Sequence, residues 1–236
     1  MKDLSSTQLD RYYCSIFLEE IGVEGQKKLF NSKVLVVGVG GLGSHVLPIL
    51  VSSGVGTIGI LDNDKVSFNN LPRQTIYGDS DVNKYKVSVA SKKMKKLNKD
   101  VNIISHRLYL NKRNVKRIIK DYNIVIDCTD NFETKFVIND ACVSLKIPFV
   151  SAGVSDYRGQ VLTCISTKSH DFKSLFDTLP PHLDKDPGVY PLAVSIIGNI
   201  AANEAVKYIL GIGELLTDTL FVMDTLNNNY KKIEIK

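Results

Sequence analysis

The sequence predicts an α/β fold built on a doubly wound, mostly parallel β-sheet. Between residues 31 and 150, apolar strand patterns alternate with helical patterns at short intervals, which is typical of a parallel sheet covered by helices. A glycine-rich turn at residues 38–43 joins the first strand to the next helix, as in Rossmann-like nucleotide-binding units. After Gly153 the pattern changes to strands joined by turns, which predicts that antiparallel strands extend the sheet.

The first 150 residues divide into N-terminal helices and a nucleotide-binding half. Apolar positions interrupted by Gly22 and Gly25 predict two short helices within residues 7–30. Strands are predicted at residues 33–38, 57–62, 101–106, 123–130 and 148–153, and helices at residues 43–53, 83–97, 112–120 and 133–145. Pro48 lies inside the helix at 43–53, where its missing N–H predicts a kink or a shifted start.

The remainder of the chain predicts a mixed extension of the sheet. In order, the elements are a strand at residues 158–166, a polar loop at 166–190, an apolar helix at 191–210, and strands at 219–224 and 229–235. An asparagine-rich turn joins the last two strands. Because no linker divides the chain, we expect one domain over residues 1–236.

The composition is that of an ordinary globular protein. With 44% hydrophobic and 23% charged residues, a chain of 236 residues can bury a substantial core, which excludes disordered and fibrous classes. Four widely spaced cysteines without C-x-x-C spacing predict neither a zinc site nor a disulfide framework. Without an apolar leader or a membrane-length run, we expect a cytoplasmic location and no membrane partner.

Lysines cluster within residues 84–99, in a chain whose formal net charge is +5. Apolar residues recur among them at helical spacing, so we interpret the lysines as the solvated face of a helix. We therefore expect no nucleic-acid partner.

The glycine turn and the strand after it predict a nucleotide site. Gly38, Gly40 and Gly43 would let a phosphate approach backbone N–H groups at the start of a helix. Asp62 ends the second strand about 20 residues later, where a carboxylate can accept hydrogen bonds from ribose hydroxyls. A purely structural turn also uses glycine, so the glycines alone leave both interpretations open.

Polar residues downstream favour ATP over NAD. Arg73 and Lys86 should return to the same sheet edge, and a triphosphate carries about four negative charges where a dinucleotide pyrophosphate carries about two. Asp130 follows the fourth strand and could hold Mg²⁺, supported by Asn131. Each residue also has a structural interpretation, the cations as surface charges and Asp130 with Asn131 as caps of the following helix.

With these residues in place, the sequence resembles the ThiF/MoeB branch of the ubiquitin-activating-enzyme superfamily. The matching motifs are RYY at 11–13, GVEGQKKL at 22–29, VLVVGVGGLGS at 34–44, GVGTIGILDND at 54–64, NNLPRQ at 69–74, Lys86, DCTDN at 127–131 and IIGNIAANEAVK at 196–207. Their combination is far more specific than the glycines alone. The resemblance implies an adenylyltransferase, in which a substrate carboxylate attacks the α-phosphorus of MgATP to give an acyl adenylate and pyrophosphate.

The resemblance implies roles for individual residues of a single ThiF-like adenylation domain. Residues 1–30 would be its N-terminal helices, 31–150 its nucleotide-binding half, and 151–236 its substrate-side strands, crossover loop and C-terminal helix. The implied catalytic residues are Arg73, Lys86 and Asp130, with Asp130 as the magnesium ligand. The implied nucleotide-binding set is Gly38, Gly40, Gly41, Gly43, Asp62, Asp64, Asn70, Arg73, Gln74, Lys86, Asp130 and Asn131. The family works as homodimers with sites near the subunit interface, so Arg11 would be contributed by the partner subunit.

Three departures from the family pattern qualify these expectations. Where members often carry a second arginine that reaches the partner's ATP, this chain has Cys14. The two C-x-x-C pairs that bind structural zinc in many members are missing, so we expect no zinc site. Residues 166–190 contain no cysteine for a thioester, so we expect activation to stop at the adenylate, with the nucleophile supplied by another molecule.

Four functions are compatible with the sequence. The first is adenylation of the C-terminal carboxylate of a small ubiquitin-like sulfur-carrier protein. A close alternative is ATP-dependent modification of a ribosomally made precursor peptide in natural-product maturation. An NAD(P)-binding oxidoreductase lacks an evident hydride-transfer constellation, and a non-catalytic nucleotide-binding scaffold is supported only by Cys14.

Overall fold

A computed structural model describes residues 3–166, 168–176 and 188–235. Its centre is an eight-stranded sheet in the order β3-β2-β1-β4-β5-β6-β7-β8. The strands are β1 Lys33–Val37, β2 Thr57–Leu61, β3 Asn102–His106, β4 Ile124–Asp127, β5 Phe149–Ser155, β6 Arg158–Cys164, β7 Thr219–Asp224 and β8 Asn229–Glu234. The first five strands pair in parallel and the last three are antiparallel, which confirms the predicted fold class.

The helices follow the predicted order with shifted ends. They are α1 Ser6–Arg11, α2 Tyr13–Ile16, α3 Gly22–Phe30, α4 Gly41–Ser52, α5 Lys86–Leu97, α6 Val115–Ile119, α7 Phe132–Leu145 and α8 Pro191–Leu210. The described N-terminal region thus holds three short helices where two were predicted. The predicted loop at 166–190 contains a 3-10 turn at Phe172–Leu175, and residues 177–187 of it lie outside the described part.

Helix α4 begins two residues before its predicted start and continues through Pro48. Most of its residues are buried between the sheet and α8. A proline costs the helix one backbone hydrogen bond, and apolar packing on this scale offsets such a loss. The consequence is that Gly43, the predicted first residue of the helix, lies within its first turn.

The central strand β1 is buried on both faces. Val34 and Val36 contact the layer that contains α3, α4, α5 and α8, whereas Leu35 and Val37 contact the layer that contains α6 and α7. Successive side chains of a strand point to opposite faces, so a strand covered on both sides requires a continuous apolar run.

None of the described helices is long and apolar enough to span a bilayer.

The strand register brings the carboxyl ends of β1, β2 and β4 to one sheet edge. Val37 pairs with Leu61 on one side and with Asp127 on the other. The Gly38 N–H donates to the Leu61 carbonyl at 2.8 Å, and the Cys128 N–H donates to the Val37 carbonyl at 2.8 Å. Chain winding reverses between β1 and β4, and open α/β sheets bind ligands in the crevice at this point.

Candidate functional site

The glycine turn between β1 and α4 leaves no room for side chains at two positions. Gly38 has φ +90°, and a Cβ there would lie 2.8 Å from the Cys128 carbonyl oxygen. A Cβ on Gly43 would lie 2.2 Å from the Gly38 carbonyl oxygen. The turn is therefore packed backbone against backbone, with the start of a twelve-residue helix directly behind it.

Asp62, at the end of β2, fastens this turn. Its Oδ2 accepts the Val39 N–H at 2.9 Å and its Oδ1 accepts the Asp64 N–H at 2.8 Å. Burial raises the pKa of Asp62, and the positive charge of Lys86 opposes that rise. Because each carboxylate oxygen has a second lone pair, Asp62 can still accept hydrogen bonds from a ribose.

The NNLPRQ segment folds back onto the glycine turn. The Asn70 carbonyl accepts the backbone N–H of Arg73 at 3.1 Å and that of Gln74 at 3.0 Å. The Arg73 side chain passes beside Gly41, and the Gln74 amide passes beside Gly40. The structure thus brings both predicted side chains to the turn.

Gln74 is a buried polar residue beside the glycine turn. Its side chain is 3% exposed, and its Oε1 is one of the buried polar atoms in the described residues that have no hydrogen-bond partner. An unsatisfied buried acceptor is costly, so such atoms are rare unless a ligand or water donates to them. At Gly40 the nearer atom of the side chain is the amide nitrogen, so Gln74 can donate a hydrogen bond to an acceptor bound at the glycine turn.

Lys86 is a buried cation at the start of α5. Its ammonium lies 3.0 Å from Asp64 Oδ2, and the two side chains are 7% and 57% exposed. The Asp64 carboxylate faces solvent, so a phosphate that binds the Lys86 ammonium would share it with Asp64 or displace Asp64. The phosphate-binding role of Lys86 stays a prediction, and its pairing with Asp64 was not anticipated from the sequence.

Tyr77 is a supporting residue that the sequence analysis missed. Its buried hydroxyl donates to the Val39 carbonyl at 2.8 Å and lies 3.4 Å from the Lys86 carbonyl. Burial raises the pKa of this hydroxyl, so it remains a donor at neutral pH. A tyrosine has no motif that would reveal this contact, which joins the glycine turn to the start of α5.

Asp130 and Asn131 have different local roles at the start of α7. The Asn131 side chain accepts the Thr134 N–H at 2.9 Å, which is an N-cap. Asp130 is exposed, and the contact recorded for its carboxylate is the Asn131 amide at 3.4 Å. Asn131 therefore has the structural role that the sequence analysis had left open, while the Asp130 carboxylate faces solvent.

Arg11 lies at the other end of α5 from Lys86. Its guanidinium donates to the Leu97 carbonyl at 3.4 Å, and Leu97 is the last residue of that twelve-residue helix. A helix of this length spans about 18 Å. Within its own chain Arg11 is thus remote from the glycine turn, so its contribution to a partner's site stays a prediction.

The predictions of a magnesium ligand at Asp130 and of no zinc site depend on which side chains could bind a metal ion. Within the described ranges, no group of three or more His, Cys, Asp or Glu side chains could hold a metal ion. Mg²⁺ in phosphate sites is commonly held by one or two carboxylates together with the phosphates. The single exposed carboxylate of Asp130 fits an ion that arrives with ATP.

The four cysteines differ sharply in accessibility. Cys14 is exposed, whereas Cys128, Cys142 and Cys164 are buried, and burial raises the pKa of each of these three thiols. A thiol reacts through its thiolate, which burial disfavours. In native protein we therefore expect Ellman's reagent to modify one thiol rapidly, and all four in denaturant. Rapid modification of a second thiol in native protein would contradict this prediction.

Two proteins whose sequences are similar to this chain are both named as adenylyltransferases. It is 35% identical to the sulfur carrier protein adenylyltransferase of Thermus thermophilus, covering 97% of this chain and 88% of that protein. It is 38% identical to an adenylyltransferase and sulfurtransferase MOCS3 of Culex quinquefasciatus, covering 99% of this chain and 54% of that protein. The chain thus spans nearly all of the first relative and about half of the second.

The fold is shared with solved structures of lower sequence identity. E. coli MccB solved with ATP superposes with a TM-score of 0.86 at 23% identity, over 98% of this chain and 72% of that one. PaaA superposes with a TM-score of 0.86 at 22% identity, over 100% of this chain and 76% of that one. A family model described as ThiF matches residues 12–236. From this match, and from relatives more than 30% identical over nearly its whole length, the chain belongs to the ThiF family.

Proposed function

We propose that this protein uses ATP to adenylate the C-terminal carboxylate of a small ubiquitin-like sulfur-carrier protein, releasing pyrophosphate. The observation that carries the proposal is a grouping at one sheet edge. Arg73 and the turn at residues 128–131, which carries Asp130, lie against the glycine turn, and Lys86 lies close to Asp62, which fastens that turn. The name of the Thermus thermophilus relative supports the carrier as substrate. The same arrangement is difficult to explain for a site that binds only a dinucleotide.

ATP recognition follows from contacts of the glycine turn. Its backbone N–H groups and the start of α4 favour phosphate, while Asp62 has free lone pairs for ribose hydroxyls. The Gln74 amide nitrogen lies beside Gly40 and supplies a hydrogen-bond donor there for an oxygen of the nucleotide. Asn70 shapes the turn that positions Gln74, so its proposed role is to order the phosphate-binding segment.

The two cations supply the charge that adenylyl transfer requires. When a carboxylate oxygen bonds to the α-phosphorus, the bond to the bridging oxygen breaks and pyrophosphate leaves with the electron pair. Arg73 and Lys86 would neutralise charge on the phosphates as it shifts toward the leaving group. The buried position of Lys86 strengthens its effect, because an ammonium shielded from water interacts more strongly with a phosphate.

Asp130 is the proposed magnesium ligand. When bound, Mg²⁺ would neutralise phosphate charge and orient the triphosphate for in-line displacement. The Asp130 carboxylate is exposed beside the N-terminus of α7, and Asn131 keeps the adjoining backbone in place by capping that helix. We assign Asn131 this supporting role.

Assembly as a homodimer in the cytoplasm completes the proposal. Arg11, remote from the site of its own chain, would then act at the site of the partner subunit. Cys14 is exposed one turn further along the chain, so the positive charge expected there in the family is missing.

The alternative substrate is a ribosomally made precursor peptide with a free carboxylate or amide. The absence of both C-x-x-C pairs and the presence of Cys14 favour a specialised role of this kind. The nucleotide site would be used in the same way, because its residues recognise ATP and leave the acyl group unspecified.

ATP–pyrophosphate exchange tests the proposal. We expect exchange that depends on a purified carrier ending in Gly-Gly and is abolished when the carrier's C-terminus is amidated. Exchange with synthetic precursor peptides alone would replace the carrier with the peptide alternative. Failure of every carrier and peptide to support exchange, together with NADH binding, would overturn the adenylation proposal.

A further inference from the structure

Lys135 is a buried cation in α7. It lies one helical turn after the turn at residues 128–131, which carries Asp130. Its side chain is 7% exposed. Building on the function proposed above, we propose that Lys135 is a positioning residue that holds the turn at residues 128–131 in the geometry needed for MgATP. The contacts of its ammonium carry this proposal.

The Lys135 ammonium joins three elements of the fold. It lies 3.2 Å from Asp127 Oδ2, at the end of β4, and it donates to the Ala152 carbonyl in β5 at 2.7 Å. Since Lys135 itself belongs to α7, one charged group fixes the distance from β4 and β5 to the helix. The turn that carries Asp130 connects β4 to α7, so its two ends are held by this contact.

Asp127 transmits the constraint directly into the turn. Its Oδ1 accepts the Thr129 N–H at 3.0 Å and the Thr129 hydroxyl at 2.6 Å. The Asn131 cap closes the turn from the other side through the Thr134 N–H. The Asp130 backbone is therefore bracketed by two anchors, whereas its carboxylate is left exposed for a ligand.

An aromatic side chain from the segment after β6 closes over the cation. The Phe172 ring lies 5.8 Å from the Lys135 ammonium and is 2% exposed. Asn139, also on α7, accepts the Lys173 N–H at 3.2 Å and so helps to dock this segment. Exclusion of water makes the ammonium depend on Asp127, because a desolvated charge needs a close partner.

The buried Lys135–Asp127 ion pair is better explained as fixing the geometry of the turn at residues 128–131 than as adding to the free energy of unfolding. Burying two charges costs so much desolvation that a buried ion pair contributes little net stability compared with apolar residues of similar volume. An apolar pair, however, could not bind the Ala152 carbonyl and the Thr129 groups at fixed distances. The ion pair therefore specifies the geometry of the turn that carries the magnesium ligand.

The experiment measures binding of a non-hydrolysable ATP analogue by titration calorimetry, with and without Mg²⁺, and needs no acyl substrate. For Lys135→Met we expect the Mg²⁺-dependent gain in affinity to fall by about 10- to 100-fold, as when a group that orients a metal ligand is lost. Lys135→Arg retains the charge and should keep more of the Mg²⁺-dependent gain in affinity than Lys135→Met does. The matched control is Lys173→Met. This change removes an exposed lysine that forms an ion pair with Asp140, which lies on α7 as Lys135 does.

Each outcome separates this inference from the proposed function. If Lys135→Met does not fold, Asp127→Asn/Lys135→Met removes both buried charges, and it should fold with the same loss of Mg²⁺-dependent affinity. A folded variant with unchanged Mg²⁺ dependence, or with an equal loss in the absence of Mg²⁺, would overturn the positioning role. Failure of the unmodified protein to bind MgATP would instead contradict the proposed function.

Discussion

Replacing Asp130 by alanine should lower ATP–pyrophosphate exchange by about 100- to 1,000-fold, the cost of removing one group that stabilises transition-state charge. The Asp130 carboxylate is exposed and accepts a long hydrogen bond of 3.4 Å from the Asn131 amide. Its loss therefore leaves no buried group unsatisfied, and the unfolding midpoint should change by less than about 2 °C. Exchange assays and a thermal melt on the same preparation measure both quantities.

The matched control for this prediction is Asp140→Ala. Asp140 is an exposed carboxylate on α7 that pairs with Lys173 at 3.2 Å, away from the glycine turn. We expect exchange within about twofold of the unmodified protein, because an exposed ion pair contributes little. Retained exchange in Asp130→Ala, or an equal loss in both variants, would remove Asp130 from its assigned role.

Replacing Gly43 by alanine should disrupt nucleotide binding through the backbone. The added Cβ would lie 2.2 Å from the Gly38 carbonyl oxygen, a distance that requires the turn or the start of α4 to move. A displacement of this kind should weaken ATP binding by about 100-fold, since a misplacement of about 1 Å at a binding group costs that much. Overpacking should also cost about 1–3 kcal/mol of the free energy of unfolding.

Gly78→Ala is the matched control for the glycine turn. A Cβ on Gly78 would meet nothing within 4 Å, and its φ of −138° is accessible to any residue. We expect unchanged ATP affinity by calorimetry and an unchanged urea midpoint. If Gly43→Ala binds ATP as tightly as Gly78→Ala does, then the close packing of the turn is irrelevant to nucleotide recognition.

The positions of the strands could be predicted because burial on both faces leaves a simple signature. A strand such as Lys33–Val37 is a continuous apolar run, and its ends are marked by polar residues or glycine. The predicted starts of the helices were less accurate than the predicted positions of the strands. Asn83 has φ +67°, which a helix cannot accommodate, so α5 begins at Lys86 instead of near residue 83.

The positions of the candidate site residues could be predicted where these residues belong to motifs, whereas their roles stay predictions. Arg73, Gln74 and Lys86 all lie at or near the glycine turn, as their spacing and the family resemblance indicated. Residues that act by supporting others escaped prediction. Tyr77 and Lys135 are single polar residues within otherwise ordinary segments, and their importance depends on partners in other elements of the fold, such as Val39 for Tyr77 and Ala152 for Lys135.

The sequence by itself determined the α/β class, the strand order along the chain and the glycine turn between β1 and α4. These follow from local patterns of apolar residues and glycine, which depend on neighbours a few positions away. Only the tertiary structure decided which polar groups are partners. Parallel register brings Leu61 and Asp127 to opposite sides of Val37, although about 24 and 90 residues of chain separate them from it. Buried charges are likewise satisfied by contacts between separate elements, as the Lys135 ammonium shows where it joins Asp127 in β4 and Ala152 in β5 to α7.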